Sequence, residues 1–243
     1  MFQSNPTTLG KLFNDARLII PYYQRDYSWE QLNLEDLIND LEAINASPHF
    51  TGQIVVTRYE QQPTETINGS SYDKWEVIDG QQRLTTLVVL LKAIHDRLAA
   101  MNATGGTAQQ LLQMKGEIQD SFLFREDFSA NICVPKLELN PLCDPYFRRA
   151  ILDLPHNGPA VDATIRGHRL LAEAKGFFDD FLANKSFDQL QTLYNKVRTQ
   201  LSFNLCTFDP QVVGMIFETM NNRGVPLLSL DKIKNYLMYL AGV

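Results

Sequence analysis

Residues 75–98 read WEVIDGQQRLTTLVVLLKAIHDRL, and no other stretch of the 243-residue chain restricts the fold as much. Trp75 to Ile78 suit a short strand. Beyond Asp79, apolar residues recur at Leu84, Leu87, Val88, Leu91, Ile94 and Leu98, the three- and four-residue steps of an amphipathic helix. Only an Asp-Gly turn separates the two. Strand, turn and helix without spare residues place helix N-terminal N–H groups at the end of a sheet. Such a corner favours anions, above all phosphate, through free donors and the helix dipole.

Spacing elsewhere predicts helices over 8–13 and 30–46, the second striped by Leu34, Leu37, Ile38, Leu41 and Ile44. Strands are expected over 18–20, ending at Pro21, and over 50–59. QQPTETINGSSYDK is polar and rich in turn residues, so it reads as a hairpin loop, and MNATGGTAQQ reads as a flexible connection. Downstream, helices are expected over 145–153, 165–182, 187–200, 212–220 and 229–240, with short strands over 134–139 and 201–208. The expected fold class is α/β (α+β), with a small mixed sheet in residues 1–100 and a mainly helical lobe in 101–243.

The net charge of −6 excludes a histone-like binder that holds DNA by bulk electrostatics alone. A local basic groove remains compatible with it, so DNA contact has to be argued from particular residues. Cys133, Cys143 and Cys206 are odd in number and form no CxxC, which argues against a disulfide framework or a structural zinc site. Reduced thiols fit a cytoplasm. MFQSNPTTLGKLF has no signal-peptide pattern, and LVVLLKAI is too short and interrupted to span a bilayer, so a cytoplasmic protein without membrane contact is expected.

Three segments carry chemistry. In Asp79-Gly80-Gln81-Gln82-Arg83, glycine admits a ligand close to the backbone, and Arg83 offers a fork for phosphate oxygens. Asp79 can hold a divalent cation or orient water, and Gln81 and Gln82 can position it without titrating. A second reading stays open: Asp79 and Gln82 fit a D-x-x-Q capping box, which stabilises a helix start by about 0.5–2 kcal/mol. No P-loop lysine is present. In IIPYYQRDYSW, Tyr22, Tyr23, Tyr27 and Trp29 surround Gln24 and Arg25 behind Pro21. Aromatic faces stack on bases or line a pocket for a flipped base, while arginine and glutamine read phosphates or base edges. A structural cluster clamping the next helix, with Arg25 paired to Asp26 or Glu30, explains them as well. In FETMNNRGVPLLSLDKIKNYL, Asn222-Arg223-Gly224 forms a turn signature, Ser229 suits a helix cap and Asp231 complements a helix dipole. A helix–turn–helix corner explains everything there except Arg223. His49, His95, His156 and His168 have no partner at metal-ligand spacing.

Together, and in this order, IPYYQRDYSW, VIDGQQRLTTL and FETMNNRGVPLLSLDKIKN resemble the GmrS-type family, also called domain of unknown function 262, over residues 8–240. FTGQIVV matches the family's strand before the hairpin. The resemblance implies a ParB/sulfiredoxin-like core and a part in modification-dependent restriction of phage DNA. It implies NTP hydrolysis, with GTP favoured and Mg2+ assisting, at Asp79, Gly80, Gln81, Gln82 and Arg83. It implies nucleotide contacts from Gln24, Arg25, Thr85, Asn222, Arg223, Asp231 and Lys234. Recognition of a phosphorothioate or a modified cytosine in double-stranded DNA would fall to Pro21, Tyr22, Tyr23, Gln24, Arg25, Tyr27 and Trp29. The implied partner is an HNH-type nuclease domain or subunit, whose motif does not occur in these residues, and the resemblance leaves room for a homodimer. DNA cleavage by this chain alone is not expected, and a truncated chain or a stand-alone sensor subunit fits its end shortly after the third motif.

Overall fold

A computed structural model describes residues 3–14, 16–45, 48–102, 104–154 and 161–208. Asn222, Arg223, Asp231 and Lys234, and the helices expected over 212–220 and 229–240, lie outside the described residues.

The chain opens with β1 (Gln3–Thr8), α1 (Leu9–Asn14), β2 (Ala16–Ile19) and α2 (Gln31–Ala43). Next come β3 (His49–Arg58), β4 (Thr64–Ile67), β5 (Ser70–Asp79), α3 (Gln81–Ala99) and α4 (Gly105–Ile118). A small hairpin, β6 (Phe124–Asp127) and β7 (Ile132–Pro135), is followed by β8 (Leu137–Glu138) and α5 (Asp144–Tyr146). The described part ends with α6 (Arg166–Leu182), α7 (Phe187–Asn195) and β9 (Leu201–Phe208). Single π-helical turns extend α4, α5 and α7.

The fold is α/β around a mixed sheet in the order β1-β9-β3-β5-β2-β8, with β4 paired to the first half of β5. β9 runs antiparallel to β1 and parallel to β3, β3 is antiparallel to β5, and β5, β2 and β8 are mutually parallel. β1 is an edge strand, which is where a strand proline such as Pro6 is tolerated. This seven-stranded sheet is larger than the small one expected. β1 was not foreseen at all. The polar stretch read as a loop is the β4–β5 hairpin, turned at Asn68 (φ 50°) and Gly69 (φ 80°). Asn-Gly accepts two positive φ angles in succession, and that outweighs polarity in setting a hairpin. α4 likewise begins inside the stretch read as a flexible connection.

α3 lies at the centre. It was expected to bury one face, yet Val89 and Leu90 are as buried as Leu84, Leu87, Val88 and Leu91. α4, α6 and α7, all beyond residue 100, contact it. Each leucine or valine so enclosed contributes about 1.5–3 kcal/mol. Lys92 is buried too, and it ion-pairs with Asp96 one turn on. One continuous apolar core joins Leu9, Leu18, Leu87, Phe122, Phe178 and Phe203, so a boundary near residue 100 does not divide it. The strand at 201–208 was expected, but not its position between β1 and β3. Among the described residues no helix is long and apolar enough to cross a membrane.

Candidate functional site

Strand direction assembles the site. β5, β2 and β8 are adjacent and parallel, so their C-terminal ends reach the same sheet edge. β5 delivers Asp79 to Arg83 there, β2 delivers the loop 20–30, and β8 delivers Leu139 to Cys143. β3, antiparallel to β5, brings its first residues to that edge. Ligands in open α/β sheets favour the crevice outside carboxyl strand ends.

The turn between β5 and α3 needs its glycine. Gly80 is the N-cap residue, with φ at 95°, and a Cβ there would sit 3.2 Å from Ile54 Cγ1. The proposed Asp79–Gln82 capping box does not form, because the helix begins one residue later and its cap makes no side-chain hydrogen bond. Gln82 instead faces the loop. Its Oε1 accepts the Ser28 N–H at 2.8 Å and its Nε2 donates to the Asp26 carbonyl at 3.1 Å. Gln81 Nε2 donates to Gln24 Oε1 at 2.8 Å, and Gln24 Nε2 donates to the Ile78 carbonyl at 2.7 Å. All three glutamines are buried. The Tyr27 hydroxyl bonds Thr86 Oγ1 at 2.7 Å, and Thr86 in turn donates to the Gln82 carbonyl. The two sequence motifs are thus stitched together, and the glutamines are the thread.

The four aromatics of the loop do not form one pocket. Tyr27 is buried, and Trp29 packs partly against the main core. Tyr23 packs with Val55, Ile78 and Cys206 in a separate cluster, where burial, then Glu76 and Tyr22, hold its phenol above the usual tyrosine range. Tyr22 is 62% exposed and meets Tyr23 edge-on at 5.5 Å. Of the four, Tyr22 is the exposed one, and Tyr23 and Trp29 are partly buried. Pro21 is buried, and its carbonyl accepts the Gln24 N–H at 3.1 Å.

Arg83 leaves α3 toward β3, where a Cβ on Gly52 would stand 3.4 Å from Nη1. Gly52, at φ 104°, belongs to an irregular stretch of β3 where the register with β9 shifts between Phe50 and Gln53. Burial lowers the Arg83 pKa from its usual value, and the charges of Asp79 and Asp40 oppose that shift. Arg25 is exposed at the rim of a narrow crevice that includes Gln81, Gln82, Thr85 and Asn140. Among the described residues neither the Arg25 nor the Arg83 side chain makes a hydrogen bond or an ion pair. The expected alternative, Arg25 paired to Asp26 or Glu30, is therefore not formed; Glu30 pairs with Arg166. Arg17, Arg58, Arg148 and Arg198 all have carboxylate partners.

The profile of the GmrSD restriction endonuclease N-terminal domain family matches residues 9–238. The chain belongs to that family. No curated protein matches it. In this GmrSD N-terminal domain, the sequence missed two participants. Asn140 follows the short strand expected over 134–139, but nothing in the sequence marked it as a partner of the 24–26 loop, and Gly52 left one signal, a glycine inside a strand pattern, which marks bulges and close approaches. Among the described residues no three His, Cys, Asp or Glu side chains gather as a metal cage. Magnesium carried on phosphates needs only one or two protein carboxylates. Asp79, half-buried at the end of β5 and close enough to Arg83 to raise its pKa, fits that lesser requirement.

Proposed function

We propose that this GmrSD N-terminal domain is the NTP-hydrolysing sensor of a modification-dependent restriction system, binding modified double-stranded DNA and switching on an HNH-type nuclease domain or subunit. One observation carries the reading: Arg25 and Arg83, from two stitched motifs, reach the start of α3 without a carboxylate partner among the described residues. An arginine kept unpaired beside carboxylates of its own chain retains its fork for an incoming anion. The nucleotide triphosphate, GTP by the family resemblance, places its phosphates at the uncapped start of α3. Arg83 meets the charge that grows on the phosphoryl oxygens, and Asp79 holds the magnesium that helps neutralise them. Exposed Tyr22 takes the DNA side as an aromatic face, and Arg25, at the rim of the crevice, serves both sides, its fork meeting the nucleotide's phosphates or the DNA's. Nucleotide and DNA then act on one another only through a difference in affinity between two states of the domain.

Phosphate release by the purified chain, with and without DNA, tests this. Arg83→Ala and Asp79→Ala each abolish release while circular dichroism stays unchanged; release at the wild-type rate in both variants sinks the catalytic assignment. A duplex panel at fixed salt, unmodified, phosphorothioate, hydroxymethylated and glucosylated, tests the sensor half, and equal affinity for all four removes it.

The engagement of Gln81 and Gln82 in holding the loop favours a second reading, a ParB-type module that binds nucleotide without turning it over. Tight nucleotide binding without phosphate release under any DNA condition selects it.

A further inference from the structure

We propose that Asn140 is a positioning residue for the nucleotide site, clamping the 24–26 segment so that Gln24 and Arg25 meet the start of α3. In its nucleotide form this rests on the function proposed above.

Asn140 is 4% exposed and leaves the end of β8 beside the loop that leaves β2. Its Nδ2 donates to the Gln24 carbonyl at 3.1 Å and to Asp26 Oδ1 at 2.9 Å. Its Oδ1 accepts the Cys143 N–H at 3.0 Å, which fixes the orientation of the amide and leaves both Nδ2 hydrogens for the loop. The loop is therefore held from two sides. Gln81 and Gln82 grip it from α3, and Asn140 grips it from the second half of the chain. Behind it stands Gly167 of α6, where a Cβ would lie 2.9 Å from Cys143 Sγ and 3.0 Å from Asp26 Cβ, so a larger residue fits only if Cys143 or the loop shifts. Glutamine pairs alone would tie the loop at Gln24, Asp26 and Ser28 to α3. Asn140 adds the opposing pull that sets where Arg25, between its two anchor points, enters the crevice.

The side chain does this as a donor, which makes the test chemical. Asn140→Asp keeps the acceptor for Cys143 N–H but turns both donations into contacts between an oxygen and an acceptor, one of them a like charge at Asp26. Pairing it with Asp26→Asn reverses donor and acceptor across the same gap and restores one carboxylate in total. Two readouts are taken on the full chain: hydrogen exchange by peptide, and the Kd for GTP with magnesium. Asn140→Asp is expected to speed exchange over 24–28, where the Ser28 N–H is held by Gln82, while exchange in β3 and α3 stays slow. The same variant raises the Kd about tenfold or more. The double variant recovers part of both, because the contact at position 26 is remade while the Gln24 carbonyl still faces an oxygen. Unchanged exchange over 24–28, exchange that rises evenly through β3 and α3, or no recovery in the double variant overturns the clamp. A wild-type chain that binds no nucleotide retires the proposed function instead, and the exchange pattern still decides the clamp.

Discussion

The informative residues are the polar ones that stay buried. Gln24, Gln81, Gln82 and Asn140 spend their amides on backbone and on one another. Each such bond is worth about 0.5–1.5 kcal/mol net, but a buried partner left behind costs about 1–3 kcal/mol. A single truncation among them thus loosens the loop more than one bond suggests. Gly80 is under a different constraint, a left-handed backbone angle with Ile54 behind it. Gly80→Ala is expected to lower stability by about 1–2 kcal/mol, read as a fall in the urea midpoint at unchanged slope. A midpoint equal to wild type would mean that the turn tolerates a side chain. At this scale the sequence was half legible. Asp79 to Arg83 were read as an anion corner; they stand at the junction of β5 and α3, and the Arg83 side chain has no ion-pair partner among the described residues. The capping box was chemically reasonable but lost by one residue, because Gly80 and not Asp79 ends the strand's excursion. That Gln82 would look sideways at Ser28 and Asp26 could not be read, since the partners lie more than fifty residues away along the chain.

Among elements, α3 and α6 are joined by a charged seam as well as an apolar one. Asp96 receives Lys92 and His95 from its own helix and Lys175 Nζ at 3.1 Å from α6. Burial opposes its ionised form, but the hydrogen bonds from His95 and Lys92 and the charges of Lys92 and Lys175 outweigh burial. They hold its carboxyl well below the usual aspartate range. A folded-state pKa below the unfolded one adds stability at neutral pH, and that stability is lost as pH falls below about 4. Asp96→Asn is accordingly expected to lower the melting temperature at pH 7 and to flatten its decline between pH 5 and about 3. A variant whose melting temperature falls with acid as steeply as wild type would show that other carboxylates carry the acid sensitivity. Elements with a strong period, α2, α3 and α6, were readable from their apolar stripes. The strand expected over 134–139 is there as the end of β7 and β8, split at Lys136, but β4 and β6 were not foreseen, because strands of four residues carry too few side chains to show alternation.

For the molecule as a whole, the division into a core of 1–100 and a helical lobe does not describe the packing. β9 separates β1 from β3, β8 extends the sheet beyond β2, and α6 and α7 cover α3. Residues 1–100 made alone are expected to remain unfolded by circular dichroism, and the full chain to unfold in urea in one transition seen alike by helix signal and by fluorescence of Trp29 and Trp75. A folded 1–100 fragment would restore the two-lobe view. The site shares this dependence, since one of its three delivering strands lies in each of three distant stretches of the chain.

The place of β9 has a consequence for how the protein is made. Thr7 finds its partner only in Phe203, and Val55 waits for Cys206. While the ribosome is still adding the residues between, β1 has no neighbour and β3 presents a bare apolar edge. Unpaired edges of this kind are sticky, and pairing over so long a separation is slow. The nascent chain therefore passes through a long interval in which the apolar half of β3, Ile54 to Val56, is open to other chains. Expression at lower temperature, or with holding chaperones in excess, gives that interval a harmless end.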